Sequence, residues 1–254
     1  MKLDKNQKKI ALLISFFVLG IIVTLILRPS YLLNILIVYA IPAGLNFYWL
    51  KQSRKKVLIF SLITTILFAV PVEIISRLAN AWDVQSTLPR IMDIAPLENL
   101  LYAFINFFWP LSFYELFIDH DADSKFSNRW KYLIGIYVIF SAFIYSFLFI
   151  NREIITLDYW KVALFVLLIP SLLIFSRRPR LIKKAFGVMI FFGLIFFLHE
   201  ALSMHLGHWW WPGEYLATMK FMGQTFPLDD VLIWYLLSTP ALIGGYEFFM
   251  DDFE

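Results

Sequence analysis

The chain contains no cysteine and few charged residues, and both absences narrow its chemistry. Without cysteine it forms no disulfide, no thiolate metal site and no cysteine nucleophile. Charged residues make up 16% and hydrophobic residues 60% of the 254 positions, whereas soluble domains carry about 25% charged residues. The sequence also has no G-x-G-x-x-G or P-loop motif for a nucleotide. This composition indicates a chain that folds in lipid.

Long apolar runs predict an all-α, polytopic membrane helix bundle of about eight transmembrane helices, because about 20 mostly apolar residues cross the hydrocarbon core. The predicted helices are Ile10–Leu27, Tyr31–Leu50, Val57–Leu78, Leu97–Ile118, Tyr132–Ile150, Tyr159–Phe175, Ala185–His205 and Leu228–Met250. The first run is too long for the apolar part of a secretory signal and has no small-residue cleavage site. We therefore interpret it as a helix of the bundle.

Basic residues are concentrated on one side of the predicted bundle. With the N-terminus in the cytoplasm, 16 of the 22 lysines and arginines fall on the cytoplasmic side, as the positive-inside rule expects. The sequence thus predicts a multi-pass protein of the cell membrane with both termini in the cytoplasm. We interpret the basic loops as topology signals that face the lipid bilayer, with no nucleic acid as partner. Assembly as a homo-oligomer stays open.

Five ordered matches relate the first half of the chain to the second. They are Ala40-Ile41-Pro42 with Leu168-Ile169-Pro170, Arg54-Lys55-Lys56 with Arg180–Lys184, Glu73 and Trp82 with Glu200 and Trp209, Pro96–Asn99 with Pro227–Asp230, and Tyr114-Glu115 with Tyr246-Glu247. The spacing predicts two tandem, pseudo-symmetric four-helix repeats, residues 1–120 and 130–254. A pseudo-twofold axis along the membrane normal should relate them, with a site between the halves.

Carboxyl groups inside the predicted spans are candidates for function, because a charge in lipid is costly and seldom kept without a role. Glu73 and Glu200 lie within the third and seventh helices. A salt bridge with Arg77, one turn further on, is the alternative explanation for Glu73. Glu200 has Met204 at that spacing, so its carboxyl group is expected to hold a proton and to suit a general acid.

Two further acidic segments begin predicted helices directly after Pro-Leu. Glu98 begins the fourth helix, and Asp229 and Asp230 begin the eighth. The alternative explanation is structural, because proline and carboxylates both favour the first turn of a helix. Further along the same helices, polar side chains form two stripes that should point into the bundle. The stripes are Asn99, Tyr102 and Asn106, and Asp230, Trp234 and Ser238.

Histidine and aromatic residues allow more than one interpretation. His199, His205 and His208 do not share one helix face, so we predict interfacial hydrogen bonding and no metal site. The aromatic residues Trp82 and Trp209–Trp211 lie in predicted outer loops, where they fit an aromatic belt at the lipid headgroups. In the alternative, some of them line a hydrocarbon site and stabilise a carbocation with their ring faces.

These motifs resemble the lycopene cyclase domain family, the non-flavin, membrane-integral carotenoid cyclases, in a fused two-repeat form. That family carries approximately Pro-x-Glu-Glu-x-x-Phe in each repeat. This chain has Pro96-Leu97-Glu98-Asn99-Leu100-Leu101-Tyr102 and Pro227-Leu228-Asp229-Asp230-Val231-Leu232-Ile233-Trp234. Asn99 thus replaces one acid, and aspartates replace both glutamates in the second repeat.

The resemblance implies a redox-neutral, acid-catalysed cyclisation of a polyene end group to a β-ionone ring, without a cofactor. The substrate would be a hydrophobic isoprenoid or carotenoid such as lycopene. By resemblance, Glu98 and Asp229 are the acid candidates, and Asp230, Glu73 and Glu200 act as proton relay or base. The substrate-binding candidates are Asn99, Tyr102, Asn106, Trp82, Trp209 and Trp234.

Two alternative functions stay open on the sequence. A carotenoid hydratase, or another isoprenoid-modifying membrane enzyme, would use the same acid but add water to the cation. A proton-coupled membrane transporter would use two parallel repeats with carboxyl groups between them.

Overall fold

The computed structural model describes residues 4–150, 160–161, 164–228 and 230–251, and this part of the chain is mostly helical. Seven of the described helices are long and apolar enough to cross a membrane. They are α1 (Lys5–Leu27), α2 (Tyr31–Trp49), α3 (Arg54–Leu78), α4 (Leu97–Phe117), α5 (Trp130–Ile150), α7 (Arg180–His205) and α8 (Asp230–Phe249). A shorter apolar helix, α6, covers Leu164–Arg177. The prediction of a mostly helical chain with several possible membrane spans is confirmed.

Part of the sixth predicted span lies outside the described residues, which exclude 151–159 and 162–163. The count of eight spans and the division into repeats 1–120 and 130–254 stay predictions.

The first helix shows how local sequence sets helix ends. Asp4 caps α1: its side chain accepts from the backbone N–H of Gln7 at 2.8 Å, and the Gln7 side chain accepts from the Asp4 N–H at 3.0 Å. Such a reciprocal box satisfies two amides that the helix leaves unpaired. At the other end Arg28 takes a left-handed conformation with φ of 46°, directly before Pro29, which stops the helix.

Four helices contain a π-helical segment shortly before a proline. The segments are Leu36–Ala40, Thr65–Ala69, Leu164–Leu168 and Asp230–Leu237, before Pro42, Pro71, Pro170 and Pro240 respectively. A proline in a helix donates no hydrogen bond and its ring clashes with the carbonyl four residues earlier. Widening the preceding turn relieves this clash, and such widened turns are frequent at functional sites.

Three short antiparallel strand pairs, which the all-α prediction did not include, lie in the loops after α3 and α7. β1 (Asp83–Val84) pairs with β4 (Trp209–Trp210), and therefore joins the two loops. β2 (Arg90–Ile91) pairs with β3 (Ala95–Pro96), and β5 (Thr218–Phe221) pairs with β6 (Gln224–Pro227). We call this end of the bundle the strand end. The opposite end carries the basic segments Lys51–Lys56 and Arg177–Lys184, and we call it the basic end.

Burial differs strongly between the helices. α4 packs against α2, α3 and α8 and is the most buried, whereas α1 and α5 expose much of their apolar surface. Apolar side chains such as Ile26 (74% exposed) and Ile139 (72% exposed) suit contact with lipid tails, because other parts of the protein leave them uncovered and hydrocarbon is a favourable environment for them. α4 is therefore the central helix beside which the interior polar residues gather.

Candidate functional site

Most of the predicted site residues line one cavity that runs along the interior of the bundle. It has a volume of about 320 Å³ and is lined by residues of α3 to α8 and of the two strand-bearing loops. Its walls are mainly apolar, with three carboxyl groups among them. Nine of the eleven predicted residues contribute: Glu73, Glu200, Asp230, Asn99, Tyr102, Asn106, Trp82, Trp209 and Trp234. Their roles in catalysis and binding stay predictions.

Glu73, on α3, is held by three donors. Arg77 Nε lies 2.8 Å from Oε1, Trp82 Nε1 donates to Oε2 at 3.0 Å, and Asn99 Nδ2 donates to Oε2 at 2.5 Å. Arg77 pairs in addition with Asp83 of β1. The salt bridge that the sequence offered as an alternative explanation is thus present. The guanidinium and the two N–H donors together occupy both oxygen atoms of the Glu73 carboxyl group.

Glu200, on α7, has a different environment. It is 3% exposed, and Trp211 Nε1 donates to its Oε1 at 3.0 Å. The repeat paired Glu200 with Trp209, but the hydrogen bond comes from Trp211. Among the described residues no lysine or arginine forms an ion pair with Glu200. Asp230, 4% exposed, lines the same cavity and interacts electrostatically with Glu200.

Aromatic rings form the strand-end wall of the cavity. The rings of Trp82 and Trp209 stack with centroids 6.1 Å apart and an interplanar angle of 27°. Trp234 meets Trp82 edge-on at 6.4 Å, and Tyr102 meets Trp209 edge-on at 5.8 Å. Such ring faces carry negative electrostatic potential and attract a cation within about 6 Å. The wall can therefore hold an apolar group and stabilise positive charge on it.

A buried polar network ties Asn99 to α2. Tyr31 donates from its hydroxyl to Asn99 Oδ1 at 3.1 Å, while Asn99 donates to Glu73. Asn99 therefore acts as both donor and acceptor, so it bridges two groups where the family motif has an acid.

A second group of polar contacts joins α2 to the last turn of α7 and to the loop that follows it. Asn34 Nδ2 donates to Ser203 Oγ at 3.0 Å and lies 3.4 Å from His208 Nδ1. His208 Nε2 lies 2.9 Å from the carbonyl oxygen of Pro29, which can only accept, so Nε2 carries the proton. Burial lowers the pKa of His208, partly opposed by this hydrogen bond, which raises it.

The predicted hydrogen bonding of His208 is present, whereas His199 lies in the interior. Its ring stacks on Tyr39 with centroids 4.2 Å apart and on Tyr102 at 5.3 Å. No hydrogen-bond partner of its ring nitrogens is found among the described residues.

Glu98, an acid candidate by resemblance, lies outside the cavity. Its Oε1 accepts from the backbone N–H groups of Thr87 and Leu88, at 2.6 and 2.7 Å, and from the Thr87 hydroxyl at 2.9 Å. Ser86 Oγ lies 2.8 Å from its Oε2. Glu98 thus closes the loop after α3 onto the start of α4, and its role as an acid stays a prediction. The other acid candidate by resemblance, Asp229, lies outside the described residues.

A second cluster of charged residues, at the basic end, was not predicted as a site. Lys56 Nζ lies 2.7 Å from Asp251 Oδ1, 3.0 Å from Asp123 Oδ1 and 3.9 Å from Glu115 Oε1. Lys184 Nζ lies 2.9 Å from Asp119 Oδ1. In the sequence, the repeated Tyr-Glu pairs indicate that this region is special, but the positive-inside interpretation explains both lysines as topology signals and predicts no cluster.

The same cluster contains two crossed hydrogen bonds between α4 and α8. Tyr114 donates from its hydroxyl to Glu247, and Tyr246 donates to Glu115. Each tyrosine therefore binds the glutamate that follows the other tyrosine in sequence.

Three carboxyl groups of this cluster are close enough to share a cation. Oxygen atoms of Glu115, Asp119 and Asp251 lie within 4.8 Å of one another. Lys56 and Lys184 already supply ammonium groups to Asp251 and Asp119. We therefore interpret the cluster as a network of ion pairs.

Comparisons of the chain with protein-family models, with curated proteins and with solved structures found no match. Its function is therefore argued from the cavity and its residues.

Proposed function

We propose that the chain is a carotenoid cyclase of the membrane, which closes the end group of a lycopene-like polyene without a redox cofactor. The observation that carries this proposal is the contrast between the acids of one apolar cavity. Glu73 has a guanidinium partner, whereas Glu200 shares the cavity with Asp230 and forms no ion pair within the described residues. The cavity thus offers one carboxylate suited to accept a proton and one pair suited to supply it.

The Glu200–Asp230 pair is the proposed acid. Two carboxyl groups that interact in one apolar cavity repel each other when both are ionised, which favours a form in which one of them carries a proton. An acid O–H bond breaks, and its proton adds to the inner CH carbon of the terminal double bond of the polyene. The outer carbon of that bond, which bears two methyl groups, becomes a tertiary cation, and the next double bond attacks it to close the six-membered ring and leave a cationic carbon in the ring.

Glu73 is the proposed base. It removes a proton from the ring next to the new cationic carbon, which restores a double bond and leaves a β-ionone end. One proton enters and one leaves, so the product has the same mass as the substrate. Return of the proton from Glu73 to the acid pair completes the cycle.

The aromatic wall supports both cationic stages. Trp82, Trp209, Trp234 and Tyr102 present ring faces or edges to the cavity, and cation–π attraction contributes about 0.5–2 kcal/mol per favourable contact. The same rings exclude water, which would otherwise capture the cation and give a hydrated product.

The proposed enzyme is built from two four-helix repeats around a pseudo-twofold axis. Support comes from reciprocal contacts, the pattern that a twofold axis produces. At the strand end Asp83 pairs with Trp210, and Trp82 stacks on Trp209. At the basic end each contact has a counterpart with the two halves exchanged. The Lys56–Asp251 pair corresponds to the Lys184–Asp119 pair, and the Tyr114–Glu247 hydrogen bond corresponds to the Tyr246–Glu115 hydrogen bond. We further propose that the basic end and both termini face the cytoplasm, on the basis of the positive-inside rule.

Expression in a lycopene-accumulating bacterium tests the function directly. We expect a new pigment of unchanged mass with a shortened chromophore, and we expect Glu200→Gln to lower its formation by about a hundredfold or more. Glu214→Gln is the matched control, because Glu214 is an exposed carboxylate in the loop after α7. Unchanged lycopene with the protein folded in the membrane would contradict the proposal, and a product heavier by one water would identify a hydratase.

A further inference from the structure

A cleft between α5 and α6 connects the cavity to the lipid-facing surface. Ile136 of α5 lines the cavity and is nevertheless 53% exposed, and Pro170 of α6 is also both a cavity wall and exposed. Although α5 and α6 follow each other in the chain, their described parts make at most isolated contacts, while α8 packs behind both. Within the described residues the cavity is therefore open sideways, toward the region that lipid tails occupy.

The corresponding side of the first half is closed. α1 packs along α2, and a Cβ added at Gly20 would lie 3.0 Å from the Ile37 carbonyl oxygen and the Val38 Cα. The two helix backbones thus approach as closely as a glycine allows. No residue of α1 or α2 is among those that line the cavity. The opening belongs to the second half of the chain.

The walls of the cleft are mainly apolar. Leu133 and Ile136 face it from α5, and Val166, Leu167, Pro170 and Ile174 face it from α6. Behind them lie Ala241, Leu242 and Gly245 of α8. Hydroxyl groups of Thr64, Tyr137 and Ser238 interrupt this lining, whereas the carboxyl groups Glu73, Glu200 and Asp230 are reached only toward the strand end.

We propose that the cleft between α5 and α6 is the lateral entrance of the substrate and holds its polyene tail during the reaction. A volume of about 320 Å³ is at the lower end of the range for small-ligand pockets, so the cavity accommodates an end group and not a long polyene. The rest of the polyene must leave the cavity, and the cleft is a mainly apolar exit into the bilayer. The identity of the ligand rests on the proposed function.

The absence of native cysteine permits a direct test by site-specific labelling. The Ile136→Cys variant is expressed in membranes and then labelled with a bulky reagent that forms a disulfide with the cysteine, so that dithiothreitol can remove the label. The control is Ile139→Cys on the same helix, since Ile139 is 72% exposed and does not line the cavity. Binding is followed with parinaric acid, a polyene fatty acid that accepts excitation energy from tryptophan, and conversion is followed with lycopene.

Labelled Ile136→Cys is expected to bind parinaric acid about tenfold more weakly than the unlabelled protein, with recovery after removal of the label. Lycopene should displace the probe from the unlabelled protein, and labelled Ile139→Cys should bind normally. Equal effects at both positions, no effect at either, or no displacement by lycopene would overturn the proposal. Probe binding that is blocked only at position 136, in a chain that converts no lycopene, would retain the polyene cleft and reject the cyclase.

Discussion

At the scale of single residues, the same chemical group has different tasks because its neighbours differ. Glu73 lies beside a guanidinium, Glu98 is enclosed by the donors of a loop, and Glu200 faces an apolar cavity. Burial alone does not separate them, since all three are less than 5% exposed. They differ in position and in partners: Glu98 has four donors and does not line the cavity, whereas Glu73 and Glu200 both line it and only Glu73 has a cationic partner among the described residues.

Glu98 offers a residue-level prediction. Glu98→Ala should lower the free energy of unfolding by about 1–3 kcal/mol, because it removes the buried carboxyl group that accepts hydrogen bonds from the backbone N–H groups of Thr87 and Leu88. Thermal unfolding in detergent measures this loss. The control Asp93→Asn replaces an exposed residue with φ of 60°, a conformation that asparagine tolerates, and should have little effect.

The catalytic consequence separates two roles for Glu98. The Glu98→Ala protein that remains folded should convert lycopene within about threefold of the parent, since an alanine at a position outside the cavity leaves the acid pair in place. Loss of conversion without loss of stability would restore Glu98 as the acid that the resemblance implies.

Sequence patterns identified which residues gather in the interior, but not what each one binds. Helix periodicity and the repeated motif were sufficient to select Glu73, Asn99, Tyr102, Glu200 and Asp230, which all line one cavity. The orientation of Glu98 depends on how the loop after α3 folds back, and the choice of Trp211 over Trp209 depends on the β1–β4 pairing. Both are long-range contacts that leave no periodic signal in the sequence.

At the scale of elements, π-helical turns explain an irregularity of the repeat. Tyr114 follows Pro96 by 18 residues, whereas Tyr246 follows Pro227 by 19. α8 contains the longest π-helical segment, Asp230–Leu237, and α4 is described as α-helical throughout. A π-helical turn accommodates one extra residue, so the two tyrosines reach equivalent heights. Hydrophobic periodicity does not distinguish these turns from α-helix, although each of them is followed within three residues by a proline.

The connection between α2 and α3 provides a pH-dependent prediction. The carboxylate of Asp121, after α4, accepts from the backbone N–H groups of Lys51, Gln52 and Ser53 at 2.6 to 3.0 Å. Burial raises the pKa of Asp121, but the hydrogen bonds from Ser53, Lys51 and Gln52 outweigh it, and the net pKa lies below its usual value. The ionised form therefore stabilises the fold above the ordinary aspartate pKa of about 3.9.

Asp121→Asn should lower stability at neutral pH by about 1 kcal/mol, because a charged acceptor that is partly screened by water is lost. This difference from the parent should shrink as the pH falls through the lowered pKa and the parent carboxylate becomes protonated. Denaturation midpoints measured from pH 7 to pH 3 provide the comparison, with Glu214→Gln as control. A difference that is constant over this range would contradict the assignment.

At the scale of the whole molecule, the basic-end cluster connects the two halves of the chain. Lys56 belongs to the first half and Asp251 to the second, and Lys184 and Asp119 connect them in the opposite direction. Lys56 and Glu115 are both at most 1% exposed. Composition and periodicity predicted a bundle in lipid, and the repeat predicted two halves. The side chains that cross between them were not predicted, because a lysine in a basic loop resembles any other topology signal.

Lys56→Met should lower the free energy of unfolding by about 3–5 kcal/mol, because it leaves the buried carboxyl groups of Asp251 and Glu115 without their ammonium partner. Lys55→Met is the matched control, since Lys55 is adjacent and exposed. The double variant Lys56→Met/Asp251→Asn should lose less stability than the two single variants added together, with a coupling of about 1 kcal/mol or more. Strict additivity in detergent denaturation would argue against a direct pair.

The one-sided opening has a consequence for a polyene with two like ends. If the chain acts as proposed, with the first half closed at Gly20 and the entrance between α5 and α6, only one terminus of the polyene would occupy the cavity at a time. The polyene would then have to withdraw into the membrane, reverse its direction and re-enter before its second terminus reacts. A carotenoid with one cyclised end would then be released into the bilayer between the two reactions, where other enzymes could bind it.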